Sequence, residues 1–179
     1  MIYFPSEDSY FLSEFVKKYS KGKKVLDMGS GSGIQAETAI NSKADSVLCA
    51  DISQESISYL KSKRLKAIKS NLFSKITGKF DLIIFNPPYL PLDKREDKES
   101  RKITTGGKKG DEIILRFLKQ SQKHLNKEGL ILLLLSSLTP KNRINSTIKD
   151  KNLKFNLLDK KNLFMEYLEV WAIRKKKPK

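Results

Sequence analysis

Residues 25–33 read VLDMGSGSG, and this stretch is the clearest indication of the architecture. A short apolar run, typical of a buried strand, leads into three glycines at alternate positions, Gly29, Gly31 and Gly33. Glycines permit a tight turn there and let a ligand approach the backbone closely. A helix-favouring stretch, residues 33–41, follows at once. This order predicts the first unit of a parallel α/β sheet with a ligand at the loop.

The same alternation continues along the chain. Runs rich in Val, Ile, Leu and Phe, which predict buried strands, occupy residues 24–28, 46–51, 66–71, 80–86 and 129–137. Polar stretches of helical length lie between them at residues 33–41, 54–62 and 111–125. Because crossovers between parallel strands are right-handed, the pattern predicts a mostly parallel, doubly wound α/β sheet with helices on both faces.

The remaining segments complete this outline. Apolar residues recur at helical spacing in residues 8–19, which predicts a helix over one sheet edge, with Ser6 as a candidate cap. Residues 92–109 are charged and lack periodicity, so they predict a mobile loop beside the active site. After Pro140 we expect a helix over 142–150 and an antiparallel hairpin of two strands, residues 154–159 and 165–174.

Length and composition narrow the class of protein. A chain of 179 residues, 39% hydrophobic and 31% charged, suits one folded domain over residues 1–179. The longest apolar run, residues 130–135, is far short of the roughly 20 residues that span a bilayer. The first ten residues do not resemble a secretion signal, so we expect no membrane contact and a cytoplasmic location.

The net charge, the single cysteine and the single histidine say little about function. The net charge of +16 has two readings: attraction of RNA, the ribosome or an acidic assembly, or a lysine-rich surface that serves solubility alone. Both remain open. The single cysteine, Cys49, is predicted to be a buried, inert thiol, and the single histidine, His124, to end a helix. We therefore expect no metal site.

Polar residues after the predicted strands suggest a cofactor. Asp27 could orient the amino group of a methionine moiety, and Asp51, about 20 residues past the glycine loop, could accept both hydroxyls of a ribose. Asn71 would then face an adenine that packs against Ile52 and Leu72. This set favours S-adenosylmethionine over a nicotinamide dinucleotide, which remains the minor option.

The tetrapeptide Asn86-Pro87-Pro88-Tyr89 follows the strand FDLIIF and is the strongest catalytic signal. Two prolines stiffen the turn, so the Asn86 side chain and the Pro87 carbonyl can converge as two acceptors. The lone pair of an amide or exocyclic amine nitrogen is delocalised, and it attacks a methyl group only when both hydrogens are held. With Tyr89 packed on the planar group, the motif predicts N-methylation.

These motifs together resemble the HemK-type release-factor glutamine methyltransferases of the class I superfamily. The resemblance covers nearly the whole chain, through YFPSEDSYFL, LDMGSGSG, ADIS, SNLF, FNPPYLP and GGKKGDEI. It implies a seven-stranded sheet of order 3-2-1-4-5-7-6 with strand seven antiparallel. It also implies methylation of the glutamine of the Gly-Gly-Gln tripeptide in a class I release factor.

The resemblance also implies residue roles. Ser9 would touch the cofactor, and Glu7 and Asp8 would shape that wall. The other implied cofactor ligands are Asp27, Gly29, Gly31, Asp51, Asn71 and Leu72. The predicted cofactor-binding set also includes Gly33, Ile52 and Asn86. The implied glutamine-binding residues are Asn86, Pro87, Pro88 and Tyr89. Relatives often have aspartate where Asn71 stands, so one adenine hydrogen bond would lack charge assistance here.

The resemblance points to the short archaeal and eukaryotic branch, because the chain lacks the N-terminal helical domain of bacterial members. That branch implies a small zinc-binding activator protein paired with a sheet edge, and we expect an uncovered apolar edge near residues 46–71. Two other functions stay open: an adenine amino methyltransferase of DNA or RNA, since NPPY is shared with that class, and a noncatalytic scaffold.

Overall fold

The computed structural model describes residues 2–92 and 104–177. The helices in these residues are α1 (Glu7–Tyr19), α2 (Ile34–Asn41), α3 (Gln54–Ser62), α4 (Glu112–His124) and α5 (Asn142–Asp150). The strands are β1 (Lys24–Met28), β2 (Ser46–Asp51), β3 (Ala67–Lys69), β4 (Phe80–Phe85), β5 (Leu90–Pro91), β6 (Thr105–Gly107), β7 (Leu125–Ser136), β8 (Leu153–Asn162) and β9 (Tyr167–Lys175).

A seven-stranded sheet organises the described residues, in the order β3-β2-β1-β4-β7-β9-β8. Strands β3, β2, β1, β4 and β7 are parallel, and β9 is antiparallel to both of its neighbours. The chain winds outward from β1 to β3 and then crosses to β4 on the other side of β1. This reversal opens a crevice between the carboxyl ends of β1 and β4. The predicted fold class and the implied strand order are confirmed.

Helices cover both faces of the sheet because its central strands are apolar on both sides. Side chains of α1 and α2 pack with Leu130, Leu132 and Leu134 on one face. Side chains of α4 and α5 pack with Ile131 and Leu133 on the other. The run ILLLL in β7 thus alternates between two cores, as a buried strand must.

Several boundaries differ from the sequence prediction. Strand β3 is shorter than the predicted residues 66–71, whereas β7 begins at Leu125 rather than at residue 129. The hairpin strand β8 extends to Asn162, three residues beyond the predicted end. Backbone pairing explains these differences, since hydrogen bonds to a neighbouring strand continue through polar residues that carry no apolar signal.

Two local predictions were wrong in detail. Ser6 occupies the N-cap of α1 but makes no capping hydrogen bond, because its hydroxyl donates to Asp8 Oδ1 at 2.8 Å. In the predicted loop, Thr105–Gly107 forms β6 and pairs with Leu90–Pro91 in a parallel two-stranded sheet. Residues 93–103 of that loop lie outside the described residues.

The rare residues lie where the sequence suggested. Cys49 is buried in β2, and burial raises the pKa of its thiol to about 12. His124 is the last residue of α4, where its ring stacks on Phe73 and its Nδ1 lies 3.1 Å from the Gly78 carbonyl oxygen. In residues 2–92 and 104–177, no helix has the length and apolarity needed to cross a membrane. A single domain over residues 1–179 stays a prediction.

Candidate active site

A cavity of about 710 Å³ lies at the carboxyl ends of β1, β2 and β4. Its wall includes seven of the ten residues predicted to bind the cofactor: Gly29, Gly31, Asp51, Ile52, Asn71, Leu72 and Asn86. All four residues of the tetrapeptide that is predicted to be catalytic, residues 86–89, also line this cavity. The fold therefore brings the glycine loop and the tetrapeptide together across the crevice between β1 and β4.

The glycine loop has the backbone that only glycine adopts readily. Gly31 has φ +51°, and a Cβ added there would lie 3.2 Å from the Tyr3 carbonyl oxygen. Gly33 has φ +88°, and a Cβ there would lie 2.7 Å from Leu60 Cδ2. Gly33 is not on the cavity wall, so the structure shows a packing role for it, and its contact with a cofactor stays a prediction.

Asp51 ties the glycine loop to the end of β2. Its Oδ2 accepts a hydrogen bond from Gly31 N at 2.9 Å, and its Oδ1 accepts one from Ser53 N at 2.8 Å. Each carboxylate oxygen can accept a second hydrogen bond. Because Ser53, not Asp51, caps α3, the ordinary capping explanation for this aspartate does not apply. The predicted contact with ribose hydroxyls is compatible with this geometry.

Asp27 lies behind the loop and does not line the cavity. Burial raises the pKa of its carboxyl to about 7, and the nearby charge of Asp51 adds to the rise, while the Ser30 hydroxyl donates to the Asp27 backbone carbonyl at 2.8 Å. Its Oδ2 is buried without a hydrogen-bond partner in the described part of the chain. A buried acceptor of this kind fits a cation, such as the ammonium of a methionine moiety, reached directly or through water.

The adenine end of the predicted site has a feature that the sequence did not reveal. Arg116 lies on the exposed face of α4, and its Nη2 donates a hydrogen bond to Asn71 Oδ1 at 3.0 Å. The Asn71 oxygen is therefore engaged, which leaves Nδ2 of Asn71 to donate to a ring nitrogen. Leu72 and Ile52 line the same wall, and Ile52 is exposed enough to pack on a flat ring.

Asn86 directly follows β4, and only one end of its side-chain amide is hydrogen-bonded within the described residues. Its Nδ2 donates to Asp8 Oδ2 at 3.0 Å. Its Oδ1 is buried and has no partner among residues 2–92 and 104–177. Pro87, Pro88 and Tyr89 continue the wall, and the Tyr89 carbonyl oxygen accepts from Thr139 Oγ1 at 3.1 Å. The turn thus places the unpaired acceptor oxygen of Asn86 at the wall of the cavity.

Asp8 is the central residue that the sequence reading assigned only to the cofactor wall. It is 5% exposed, and its carboxylate accepts from the Tyr3 hydroxyl at 2.8 Å and from Ser9 N at 2.5 Å. The Tyr89 hydroxyl lies 3.5 Å from Oδ2. Ser9, predicted to touch the cofactor, is buried behind Asp8 and does not line the cavity. Its hydroxyl donates to Asp8 Oδ1 at 3.1 Å, so its cofactor contact stays a prediction.

The two tyrosines beside Asp8 remain neutral near neutral pH. Burial raises the pKa of Tyr3 to about 12, and the Asp8 charge contributes. Burial raises the pKa of Tyr89 as well, again with Asp8 as the next cause. Neither phenol is suited to act as a base, and Tyr89 keeps an uncharged ring for packing on a planar group.

The small sheet β5–β6 supports the tetrapeptide from behind. A Cβ added to Gly106 would lie 2.6 Å from the Pro88 carbonyl oxygen and 2.3 Å from the Gly110 carbonyl oxygen. Such contacts are shorter than any real Cβ tolerates, so only glycine lets β6 lie this close. The double-glycine segment therefore holds the turn in place. Among the described residues, no cluster of His, Cys, Asp and Glu could hold a metal ion.

Comparison with known proteins identifies the family. The profile of the methyltransferase small domain family matches residues 7–166. The chain belongs to this family. A Methanocaldococcus jannaschii protein assigned as a protein N5-glutamine methyltransferase is 32% identical over 177 residues, covering 94% of this chain and 89% of that protein.

Two further relatives differ in length and similarity. The release factor glutamine methyltransferase of Borreliella burgdorferi is 35% identical over an alignment of 125 residues that covers 62% of this chain and 44% of that protein. This chain therefore spans less than half of the bacterial enzyme. The Mtq2–Trm112 complex of E. cuniculi, responsible for methylation of the eRF1 translation termination factor, matches with a TM-score of 0.81 at 22% identity. That match covers 98% of this chain and 99% of the solved one, and it shows the shared fold.

These findings confirm the HemK-type resemblance, the methyltransferase class and S-adenosylmethionine as the cofactor. The roles of individual site residues remain predictions that the geometry supports to different degrees.

Proposed function

We propose that this chain transfers a methyl group from S-adenosylmethionine to the side-chain nitrogen of a glutamine, in the Gly-Gly-Gln tripeptide of a class I release factor. The observation that carries the proposal is the buried, unpartnered Oδ1 of Asn86 on the cavity wall, in the described part of the chain. A primary amide supplies two N–H donors, one for this oxygen and one for the Pro87 carbonyl, which can also accept. The relatives named for glutamine methylation support the choice of amide.

The site residues act by positioning. Bound S-adenosylmethionine supplies an electrophilic methyl group on a sulfonium centre. Asn86 and the Pro87 carbonyl hold the two amide hydrogens, and Tyr89 packs on the amide plane, so that the nitrogen lone pair faces the cofactor. Asp51 and Asn71 hold the nucleoside, and Asp27 balances the ammonium. A strong base would not be required, because the nitrogen becomes cationic and strongly acidic once it bonds to the methyl carbon and the methyl–sulfur bond breaks, and its proton can then pass to solvent.

A partner protein belongs to this proposal. Strand β3 forms an edge of the described sheet, and its Ala67 and Ile68 are half-buried while Lys69 is exposed. The predicted bare apolar edge is therefore smaller than expected. The open backbone of β3 still suits β-strand addition by a small zinc-binding protein, and the E. cuniculi neighbour was solved as a complex with Trm112. Contact of the basic surface with RNA or the ribosome stays a prediction.

Mass spectrometry of the release-factor glutamine tests the function. Incubation with this chain, its partner and S-adenosylmethionine should add one methyl group to the Gly-Gly-Gln glutamine. Asn86→Ala should lower kcat by at least about 100-fold, because the amide loses one of its two aiming hydrogen bonds. Its cofactor affinity should stay within about threefold, since Asn86 chiefly orients the acceptor.

The matched control is Asn41→Ala, which removes an exposed asparagine at the end of α2 and should leave turnover unchanged. An unmodified glutamine with the intact complex would overturn the proposed substrate. Equal loss of cofactor binding and turnover in Asn86→Ala would show that its role was assigned wrongly.

A further inference from the structure

We propose that Asp8 is a positioning residue that sets which end of the Asn86 amide faces the acceptor. The proposal rests on the proposed function and deepens it. An asparagine side chain can present either its oxygen or its NH2 group, and rotation by half a turn exchanges them with almost no change in shape. Only the oxygen can hold a hydrogen of the acceptor nitrogen, so the orientation of this amide decides whether the site works.

Asp8 allows only one of the two orientations of the Asn86 amide. A carboxylate offers acceptors only, so the Asn86 NH2 group must face it, as the 3.0 Å bond from Nδ2 to Asp8 Oδ2 shows. The opposite orientation would bring two oxygens together in a buried place. With Nδ2 engaged, Oδ1 points the other way and stays without a partner in residues 2–92 and 104–177.

Asp8 is itself held rigidly, which its role requires. The backbone amide of Ser9 and the hydroxyl of Ser6 donate to Oδ1 at 2.5 and 2.8 Å. The Tyr3 hydroxyl lies 2.8 Å from both oxygens. Because the Ser9 N–H cannot rotate away, Oδ1 must remain an acceptor, and only the Oδ2 position can change its chemistry in a substitution.

This asymmetry makes Asp8→Asn a sharp test with little change in volume. The new NH2 group must take the Oδ2 position, where it faces Asn86. The Asn86 amide should then rotate, accept from residue 8 and present its own NH2 group to the acceptor. We expect kcat on the release factor to fall by about 100-fold, with affinity for S-adenosylhomocysteine within about threefold.

A rescue variant separates positioning from loss of structure. In Asp8→Asn/Asn86→Asp, one carboxylate oxygen at position 86 accepts from residue 8 and the other again faces the cavity. The kcat of this double variant should be at least about tenfold higher than that of Asp8→Asn alone. In an Asn86→Ala background, Asp8→Asn should add no more than about twofold. Glu14→Gln, an exposed carboxylate on the same helix, is the control and should match the parent chain.

A spectroscopic measurement tests the contact without any substrate. The side-chain NH2 signals of Asn86, assigned by their loss in Asn86→Ala, should move in Asp8→Asn and not in Glu14→Gln. Unmoved signals, or additive losses in the double variants, would overturn the inference. Moved signals together with an unmethylated release factor would leave the inference standing and refute the proposed substrate alone.

Discussion

Two buried oxygens mark the site at the level of single atoms. In residues 2–92 and 104–177, three buried side-chain oxygens have no hydrogen-bond partner, Asp27 Oδ2, Asn86 Oδ1 and Thr105 Oγ1, and the first two belong to residues of the predicted site. A buried polar atom left unpaired costs about 1–3 kcal/mol, so a stable fold retains one where a ligand later pairs with it. The first oxygen suits a cation and the second suits an N–H donor. These two needs match the two substrates of an N-methyltransferase.

The raised pKa of Asp27 makes cofactor binding depend on pH. The pKa of this carboxyl rises from 3.8 to about 7 in the folded protein, so its contribution to stability is complete below pH 4 and is lost as the pH rises towards 7. A bound ammonium favours the charged form. Affinity for S-adenosylhomocysteine should therefore increase as pH rises from 6 to 8, with a slope approaching about tenfold per unit at the acidic end.

Calorimetric titration across this range, with Asp27→Asn beside the parent chain, provides the measurement. Asp27→Asn should bind more weakly at pH 8 and show a flat profile, and without cofactor it should unfold at a higher temperature than the parent at that pH. Asp45→Asn, which removes an exposed carboxylate, should keep the parent's slope. A slope shared by all three proteins would contradict the assignment of Asp27.

Among the structural elements, the small β5–β6 sheet packs against the turn that is predicted to be catalytic. Gly106→Ala should push β6 away from the Pro88 carbonyl, which its Cβ would otherwise approach to 2.6 Å. We expect kcat to fall by about 10-fold or more, with cofactor affinity retained, because the tetrapeptide shifts while the glycine loop does not. Gly129→Ala is the control, since its Cβ would crowd the buried Leu125 side chain at 2.7 Å and not the cavity wall, and steady-state kinetics should separate the two. Equal effects would refute the supporting role.

The open edge of β3 should be where the partner binds. Lys66 O accepts from Cys49 N and Ser70 N donates to Asp51 O, so these residues face β2 and the intervening Lys69 N–H points outward. Lys69→Pro removes that donor and should weaken partner binding by about tenfold or more. Lys69→Ala keeps the N–H and should bind normally. Light scattering with each variant and the proposed partner protein tests this, and a fully active monomer of the parent chain would count against the partnership.

For the molecule as a whole, the open question is which polymer enters the site. The charge of +16 would suit a nucleic acid, and the tetrapeptide alone is compatible with adenine. The relatives named for glutamine methylation favour a protein acceptor. With labelled cofactor and an equal supply of release factor, DNA and RNA, we expect the label in the release factor alone. Label in a nucleic acid would make adenine methylation the better assignment, and cofactor binding without any transfer would favour a scaffold.

Much of this architecture follows from local patterns. Glycines at 29, 31 and 33 permit positive φ, the prolines at 87 and 88 restrict the backbone, and the short run ILLLL near a glycine is typical of a buried strand. The sequence therefore predicted the glycine loop, the stiff Asn-Pro-Pro-Tyr turn and the doubly wound sheet. The family resemblance added the strand order. Strand ends were predicted less well, because pairing with a neighbour determines where β3 stops and where β7 begins.

The tertiary structure alone decided how the site is oriented. Asp8 and Asn86 are 78 positions apart, and no periodicity or motif spacing links them, yet the fold brings Nδ2 and Oδ2 within 3.0 Å. The same holds for Arg116 and Asn71, 45 positions apart, and for Gly106 against Pro88. Local chemistry determines which groups a chain offers. Their direction depends on contacts between distant segments, which exist only after the sheet has formed.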